Sequence, residues 1–231
     1  MKNVIVLGAN GDTAKEIIAR LLPRGDVVLS LFLRGARRLR HVRGDRVRLV
    51  EGDATNGADL IAAIKGQDIV VSTMGGMDLD VKTAHVVRAM EEAGASRIIA
   101  ISAGGIYDEL PEPFNTWDEG MVGETRPVNR RMADLIERSS LRHTILRPVW
   151  LTSEPTEEFE LTQKGEPFKG TETSRASIGR FVADLVAHSE LHLDENVGIS
   201  KPGTDRSRPA AYPVRARISR TAPRLIHHRS S

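Results

Sequence analysis

Short apolar runs alternate along the first 150 residues with segments in which apolar residues recur every three or four positions. The runs are rich in Val, Ile and Leu, which is typical of strands buried on both faces of a sheet. The predicted strands are residues 4–7, 27–33, 47–50, 69–71, 97–102 and 144–146. The predicted helices are residues 14–22, 60–64, 81–93 and 130–138. This alternation predicts an α/β, Rossmann-like fold, a doubly wound parallel sheet with helices on both faces.

The pattern changes after Pro148, where the apolar runs become shorter and less regular. The elements predicted there are a hairpin with arms 159–161 and 167–169, a helix over 178–186 and a short strand over 197–199. We interpret residues 150–200 as a small C-terminal lobe on the substrate side of the sheet, within one domain of residues 1–205.

The composition, 40% hydrophobic and 28% charged, is that of a globular protein. The chain contains no cysteine, which excludes disulfides, zinc–thiolate sites and thiol catalysis. No apolar run approaches the roughly 20 residues that span a bilayer, and the first residues lack the pattern of a signal peptide. We therefore predict a cytoplasmic protein without membrane contact. No His, Asp or Glu group has the spacing of a metal site, so none is predicted.

The isoelectric point near 9.1 averages two different parts of the chain. Residues 201–231 contain eight basic residues and one acid, a net charge of +7, whereas the first 200 residues contain 25 bases and 30 acids, a net charge of −5. We interpret residues 206–231 as a basic, disordered tail. Nucleic acid is not expected as a partner, because the charge of this tail is its only basis.

A glycine-rich segment of sequence GANGDTA joins the first predicted strand to the first helix. Glycine permits a tight turn and lets the backbone approach a pyrophosphate. The start of the helix adds free N–H groups and the positive end of its dipole. The spacing is GxxGxxA rather than GxGxxG, with Ala14 in place of the third glycine. We predict a dinucleotide phosphate site formed by Gly8, Asn10, Gly11, Asp12 and Thr13.

Arginines follow the second predicted strand, where an NAD-binding fold usually places an acid for the ribose 2′-hydroxyl. Arg34, Arg37 and Arg38 come shortly after the strand, and residues 34–48 contain seven arginines but only one acid. Guanidinium groups bind phosphate well. The sequence therefore favours NADP(H) over NAD(H), with Arg34 the first choice for the 2′-phosphate and Arg37 and Arg38 the next.

Six short motifs occur in order along the chain: LGANGDTA, LFLR, EGDAT, STMGG, ISAGGIYDE and SSLRHTILRP. Together they resemble the atypical short-chain dehydrogenase/reductase family, in its NmrA-like NAD(P)H-binding branch, over residues 2 to about 203. The resemblance implies that Asp53 meets the adenine amino group. It also implies that Thr73, Met74, Gly75 and Gly76 run past the adenosine ribose.

The same resemblance assigns the reaction end of the site. Ser102 matches the family's active-site serine, and Tyr107 lies in the loop that would overhang the nicotinamide. Arg147 and Pro148 match the Arg-Pro pair after the sixth strand, with Pro148 near the carboxamide and a structural role as the alternative for Arg147. We thus expect Ser102 and Tyr107 as catalytic residues, and Ser102, Arg147 and Pro148 as cofactor contacts.

One feature of the family is missing from the sequence. Many members pair a tyrosine with a lysine four positions later, and the lysine lowers the pKa of the tyrosine so that it exchanges a proton as hydride moves. Counting back from Ser139, these two positions hold Thr125 and Asn129. This departure argues against the family's usual alcohol–ketone chemistry.

Two functions from different classes follow. The first is an NADPH-dependent reductase that transfers hydride to a small conjugated acceptor such as a quinone or a flavin, which needs positioning more than a protein acid. The second is a non-catalytic NADP-binding regulator or redox sensor. A sugar-nucleotide or isoflavone-type reductase ranks last, because the short lobe after residue 150 leaves limited room for a large substrate.

Overall fold

The computed structural model describes residues 1–212. The strands are β1 (Lys2–Leu7), β2 (Val27–Leu33), β3 (Val47–Glu51), β4 (Ile69–Ser72), β5 (Arg97–Ile101), β6 (Arg142–Pro148), β7 (Trp150–Thr152), β8 (Glu160–Thr162), β9 (Glu172–Ser174) and β10 (Glu195–Ser200). The helices are α1 (Asp12–Leu21), α2 (Gly57–Ile64), α3 (Leu79–Ala93), α4 (Phe114–Val122), α5 (Arg126–Glu137) and α6 (Arg175–Ala187).

Eight of these strands form one sheet in the order β3-β2-β1-β4-β5-β6-β10-β8. Every neighbouring pair is parallel except β10 and β8, which are antiparallel. The strand order reverses between β1 and β4, so the loops at the carboxyl ends of these two strands diverge and leave a crevice. The doubly wound, Rossmann-like fold predicted from the sequence is confirmed.

The core consists of two hydrophobic layers, one on each face of the sheet. Alternate residues of β1 belong to opposite layers: Val4 and Val6 face α1 and α6, and Ile5 and Leu7 face α2, α3 and α5. All four of these side chains are fully buried. A strand covered by helices on both faces needs an apolar residue at every position, which explains why the parallel strands read as continuous apolar runs.

The hairpin predicted over residues 159–169 is wrong. Its first arm is β8, but β8 pairs with β10, and residues 167–169 form no strand. Pro167 has no N–H for a ladder, and the Phe168 N–H donates to the Glu109 carbonyl at 2.9 Å. The Phe168 ring lies over Gly198 of β10, where a Cβ atom would come within 2.5 Å of the ring. These contacts of Phe168 with β10 and with the loop after β5 therefore prevent residues 167–169 from pairing with β8.

Residues 150–200 divide between the main sheet and a smaller unit. Strands β8 and β10 extend the main sheet and α6 packs on α1, whereas β7 and β9 pair in parallel as a separate two-stranded sheet. Helix α4, which the apolar pattern did not predict, lies beside this small sheet and contributes Phe114 to a cluster with Val149 and Phe168.

The packed chain continues past the predicted domain boundary at residue 205. The Tyr212 hydroxyl donates to the Leu151 carbonyl at 2.7 Å, and the Ala211 N–H donates to Glu172 at 3.0 Å. The first seven residues of the predicted tail, 206–212, thus reach back to the small sheet, and residues 213–231 lie outside the described residues. Within residues 1–212, no helix combines the length and apolar character needed to cross a membrane.

Candidate functional site

The loop between β1 and α1 has the geometry of an anion cradle. Gly8 adopts a φ of +79°, and its N–H and that of Ala9 donate to the Phe32 carbonyl at 3.1 and 3.2 Å. The turn closes when the Gly11 N–H donates to the Gly8 carbonyl at 3.0 Å. Gly11 is the N-cap of α1, and no side chain caps this helix. The N–H groups of its first turn are therefore available to a phosphate.

A cleft of about 270 Å³, the glycine cleft, opens beside this loop at the carboxyl ends of β1 to β4. Seven of the predicted cofactor residues line it: Gly8, Gly11, Arg34, Asp53, Thr73, Met74 and Gly75. The other predicted residues of this half lie outside its lining: Asn10, Asp12, Thr13, Arg37, Arg38 and Gly76. The predicted residues therefore lie mainly on the loops that line this cleft, and the lining residues that the sequence did not indicate include Gly52 and Lys82.

Two cations and one carboxylate give the glycine cleft its charge. Arg34 is exposed at the end of β2, and Lys82 of α3 donates to Asp78 at 2.6 Å and to the Gly75 carbonyl at 3.2 Å. Asp53 accepts hydrogen bonds from the Thr55 N–H and hydroxyl at 2.9 and 2.8 Å. These bonds, aided by the charges of Arg34 and Lys82, lower the pKa of Asp53. Asp53 is thus an ionised acceptor at neutral pH.

Arg37 and Arg38 lie on a 3₁₀ turn over Ala36–Leu39, and both are exposed. Asp12 is exposed and pairs with Lys15 at 2.8 Å, which lowers its pKa. Since α1 offers its N–H groups on the side of Gly8 and Asp12 is paired with Lys15, the acid adds little repulsion toward a phosphate.

A second concave site, the tryptophan pocket, lies at the carboxyl ends of β5 and β6. It encloses about 210 Å³, and its lining includes Gly104, Thr125, Arg126, Pro148 and Trp150. The loop after β5 is joined to β6, because the Gly104 N–H donates to the Pro148 carbonyl at 2.8 Å. A side chain at Gly104 would collide with Val149, its Cβ lying 2.8 Å from Cγ1. Pro148 therefore lies in the wall of this pocket, and its predicted place beside the carboxamide stays a prediction.

Ser102 is buried behind this pocket. Its hydroxyl donates to the Asn129 carbonyl at 3.3 Å, and the Asn129 side chain donates to the Thr125 carbonyl at 3.0 Å. Of the two positions counted back from Ser139, Asn129 thus contacts the serine through its backbone carbonyl, and Thr125 is joined to it through the Asn129 side chain.

The structure places Tyr107 away from the residues that line the tryptophan pocket. Its hydroxyl donates to Glu137 at 3.4 Å and accepts from the Asn196 side chain at 2.8 Å. Lys164 Nζ lies 4.5 Å from the ring centroid. Burial and the neighbouring Glu137 charge raise the pKa of Tyr107, against the opposing effect of Lys164. A phenol with a raised pKa is a weaker proton donor at neutral pH.

Arg147, predicted as a cofactor contact, is fully buried and has a structural role. Its Nη1 forms an ion pair with the buried Glu109, and its Nε donates to the Asn196 side chain at 2.8 Å. Glu109 also accepts from the N–H groups of Gly105 and Tyr107 at 3.2 and 2.7 Å. The pair therefore fixes the loop after β5, and the guanidinium has no surface left for a cofactor. This corrects the predicted contact.

Three side chains that the sequence did not reveal form one wall of the tryptophan pocket. Asp118 of α4 accepts from Trp150 Nε1 at 2.7 Å through one oxygen. Its other oxygen accepts from Arg126 Nη2 and Nε at 2.6 and 3.1 Å. These residues lie on three elements, and only the fold brings them together.

The glycine cleft fits a nicotinamide dinucleotide. It combines an uncapped helix start, a close backbone approach at Gly8 and a cation at the end of β2, which is the donor set that a pyrophosphate and a ribose phosphate need. The tryptophan pocket follows on neighbouring strands of the same sheet edge.

Comparison with known proteins agrees with this interpretation. A family model described as NAD(P)H-binding matches residues 8–189. The chain is 25% identical to a short-chain dehydrogenase/reductase of Veillonella parvula solved in complex with NADP, with a TM-score of 0.85 over 90% of this chain and 99% of that one. It is 38% identical to a Rossmann-fold NAD(P)-binding family protein of Shigella flexneri, with a TM-score of 0.77 over 90% and 98% of the two chains.

Among sequence relatives, an uncharacterised chloroplastic protein of Arabidopsis thaliana is 26% identical over 171 residues. The match covers 67% of this chain and 61% of that relative's length. The family model spans most of the chain, and the Shigella protein shares its fold and more than a third of its residues. The chain belongs to the NAD(P)H-binding family, in the atypical group of the short-chain dehydrogenases/reductases.

Proposed function

We propose that this protein is an NADPH-dependent reductase of a small conjugated acceptor, such as a quinone or a flavin. The observation that carries the proposal is the placement of the glycine cleft and the tryptophan pocket along one carboxyl edge of the sheet, on β1 to β4 and on β5 and β6. When bound, NADPH supplies the hydride and leaves as NADP⁺, while the acceptor takes one further proton from water.

The preference for NADPH over NADH rests on Arg34. Its guanidinium follows β2 directly and lines the glycine cleft, and Lys82 adds a second cation to the same wall. No acid stands at the end of β2 to bind a free ribose 2′-hydroxyl. A 2′-phosphate would accept charge-assisted hydrogen bonds from the Arg34 guanidinium.

The acceptor class follows from the side chains of the tryptophan pocket. By the count back from Ser139, Thr125 and Asn129 stand where the family has its tyrosine and lysine. Within residues 1–212, neither tyrosine lines the pocket. Ser102 is engaged with a backbone carbonyl. These residues position a ligand and exclude water, and they supply no acid with a pKa suited to protonating an alkoxide. A quinone or a flavin accepts hydride without such an acid.

The proposal is tested by following NADPH absorbance with a panel of quinones and flavins. We expect acceptor-dependent oxidation by the full chain, and slower oxidation with NADH. If thermal-shift titration shows that NADPH and NADP⁺ bind and no acceptor is reduced above background, the protein is instead a non-catalytic NADP-binding regulator or redox sensor.

Substitution of Arg34 tests the cofactor preference. Arg34→Ala should weaken NADPH binding about tenfold, since one charge-assisted hydrogen bond contributes roughly 1.5–3 kcal/mol, and should change NADH binding little. Arg40→Ala is the matched control, because Arg40 is an exposed arginine of the same segment outside the cleft lining. Equal losses for both nucleotides would remove the assignment of Arg34 to the 2′-phosphate.

A further inference from the structure

The wall of the tryptophan pocket holds one charged donor that is only partly used. Arg126 donates through Nε and Nη2 to Asp118 and through Nη2 to the Asn115 carbonyl at 3.5 Å. Its Nη1 donates to no residue within 1–212, although the side chain is largely buried and lines the pocket. A guanidinium carries two N–H bonds on Nη1, so two donors remain for a ligand.

The carboxylate beside it is largely engaged within the protein. Asp118 is buried, and its two oxygens accept three hydrogen bonds, one from Trp150 Nε1 at 2.7 Å and two from Arg126. The ion pair therefore presents to the pocket mainly the unused donors of Arg126 Nη1. Of the residues that line this pocket, only these two are charged. An oxygen of the ligand is the group that complements such a wall, and an anionic oxygen makes the stronger bond.

The remaining walls suit a flat ring. Val122, Pro148, Val149 and Trp150 contribute apolar surface, and the volume of about 210 Å³ leaves room for a small ring. The bond to Asp118 fixes the indole of Trp150, which also packs against Trp117 and Tyr212 with ring centroids 4.6 Å away in each case. A fixed indole provides a rigid face for a conjugated ring.

From this arrangement we infer that the tryptophan pocket takes a planar conjugated molecule bearing an anionic oxygen, a carboxylate or an enolate, which Arg126 Nη1 binds while the ring lies against Trp150. The inference rests on the proposed function where it takes this ligand to be the hydride acceptor. It adds a substrate class, because an uncharged ring of the same shape makes only a weaker hydrogen bond to Arg126.

The test compares two probes of similar shape, 2-hydroxy-1,4-naphthoquinone, which is an anion at neutral pH, and menadione, which has no ionisable group. Binding to the full chain is followed by quenching of tryptophan fluorescence. The chain contains two tryptophans, and both Trp117 and Trp150 belong to the aromatic cluster beside the pocket. We expect the wild-type protein to bind the anionic probe at least about tenfold more tightly.

Two variants examine the role of Arg126. Arg126→Gln should reduce the preference to within about twofold and leave NADP⁺ affinity in the glycine cleft unchanged. Arg126→Lys keeps a positive charge beside Asp118, so it protects the fold, but it lacks the planar fork and should also lose most of the preference. Arg130→Gln is the matched control, because Arg130 lies one turn further along α5 and pairs with Asp134 at 2.8 Å.

Equal binding of the two probes by the wild-type protein overturns the inference, as does a preference that survives in both Arg126 variants. NADPH oxidation in the same samples separates the two proposals. A preference that depends on Arg126 without NADPH oxidation supports the binding site and removes the reductase. Oxidation with equal kcat/KM for both probes, unchanged by Arg126→Lys, supports the reductase and removes the anionic substrate class.

Discussion

The glycine cleft and the tryptophan pocket share one edge of one sheet, yet different parts of the chain form them. The cleft is mainly backbone: a positive φ at Gly8, a turn closed by Gly11 and an uncapped helix start. The pocket is mainly side chain, with Asp118, Arg126 and Trp150 held by hydrogen bonds between separate elements. A site made of local backbone is fixed by a few consecutive residues, whereas a site made of side chains depends on the whole fold.

The charged residues of the two sites also differ, in how far they are exposed to solvent. Arg34 in the glycine cleft is exposed, so its charge is available to a ligand at little cost to folding. The charges behind the tryptophan pocket, Glu109 and Arg147, are fully enclosed and serve the loop after β5. Substitutions in the cleft should therefore change binding, and substitutions behind the pocket should change stability.

The largest effect is expected from breaking the buried pair. Arg147→Met leaves Glu109 as an uncompensated buried charge, which should lower the free energy of unfolding by about 3–5 kcal/mol in urea titration. The double variant Glu109→Gln, Arg147→Met should recover part of that loss, because no charge is then left buried.

Arg142→Met is the matched control for this substitution. Arg142 lies on the same strand, and its pair with Asp194 is half exposed, so the loss should stay below about 1 kcal/mol. A similarly small loss for Arg147→Met would show that the loop after β5 does not depend on the pair.

A smaller effect is expected from the glycine cleft. Gly8→Ala places a Cβ 3.2 Å from Thr73 Oγ1 and 3.3 Å from Met74, at a φ that costs other residues roughly 1–2 kcal/mol. The loop should shift, and NADPH affinity measured by fluorescence titration should fall by about tenfold.

Gly66→Ala separates strain from binding. Gly66 has a φ of +77°, nothing lies within 4 Å of the added Cβ, and the residue is remote from the lining of the cleft. This variant should lose stability and keep NADPH affinity. Equal affinity for Gly8→Ala and the wild-type protein would contradict the role of the loop as a phosphate cradle.

The smallest effect concerns Tyr107. Because its folded pKa is raised above the ordinary 10.0, its contribution to stability is complete below pH 10.0 and is lost as the pH rises through the folded pKa. The chain has two tyrosines, so a Tyr212→Phe variant isolates Tyr107 in an ultraviolet titration of tyrosinate. We expect the midpoint of ionisation to lie above pH 10.0. A midpoint below 10.0 would show that burial and Glu137 do not control this phenol.

The sequence predicted the six strands β1 to β6 and most of their helices because most of these strands are buried on both faces and each helix on one. The edge strand β3 is partly exposed and was predicted from its three apolar residues. Even where it succeeded, the ends differ: α5 begins at Arg126, four residues before the predicted start, with a proline in its first turn. The prediction failed where a strand pairs with a partner far away in the sequence. The hairpin predicted from β8 is the example, because a strand of three residues is too short for its apolar pattern to specify its partner.

The same contrast between local pattern and distant contacts applies to the residues of the site. Gly8, Gly11 and Arg34 were predicted from sequence because they lie in the segments that follow β1 and β2, and Asp53 because of the family resemblance. All four line the cleft because the carboxyl ends of parallel strands meet at one edge of the sheet. Lys82 carried only a weak signal, an acid four positions before it at Asp78. Its entry into the cleft depends on how α3 packs.

By itself the sequence determined the parallel strands, the glycine turn before α1 and the excess of arginine after β2, since all three depend on neighbours within a few residues. Only the tertiary structure decided that Arg147 is buried against Glu109, 38 residues away, and that Asp118 holds Trp150 across 32 residues. These side chains meet because the sheet fixes where each loop begins. A buried charge without a partner costs free energy, which is why buried Arg147 packs against the opposite charge of Glu109.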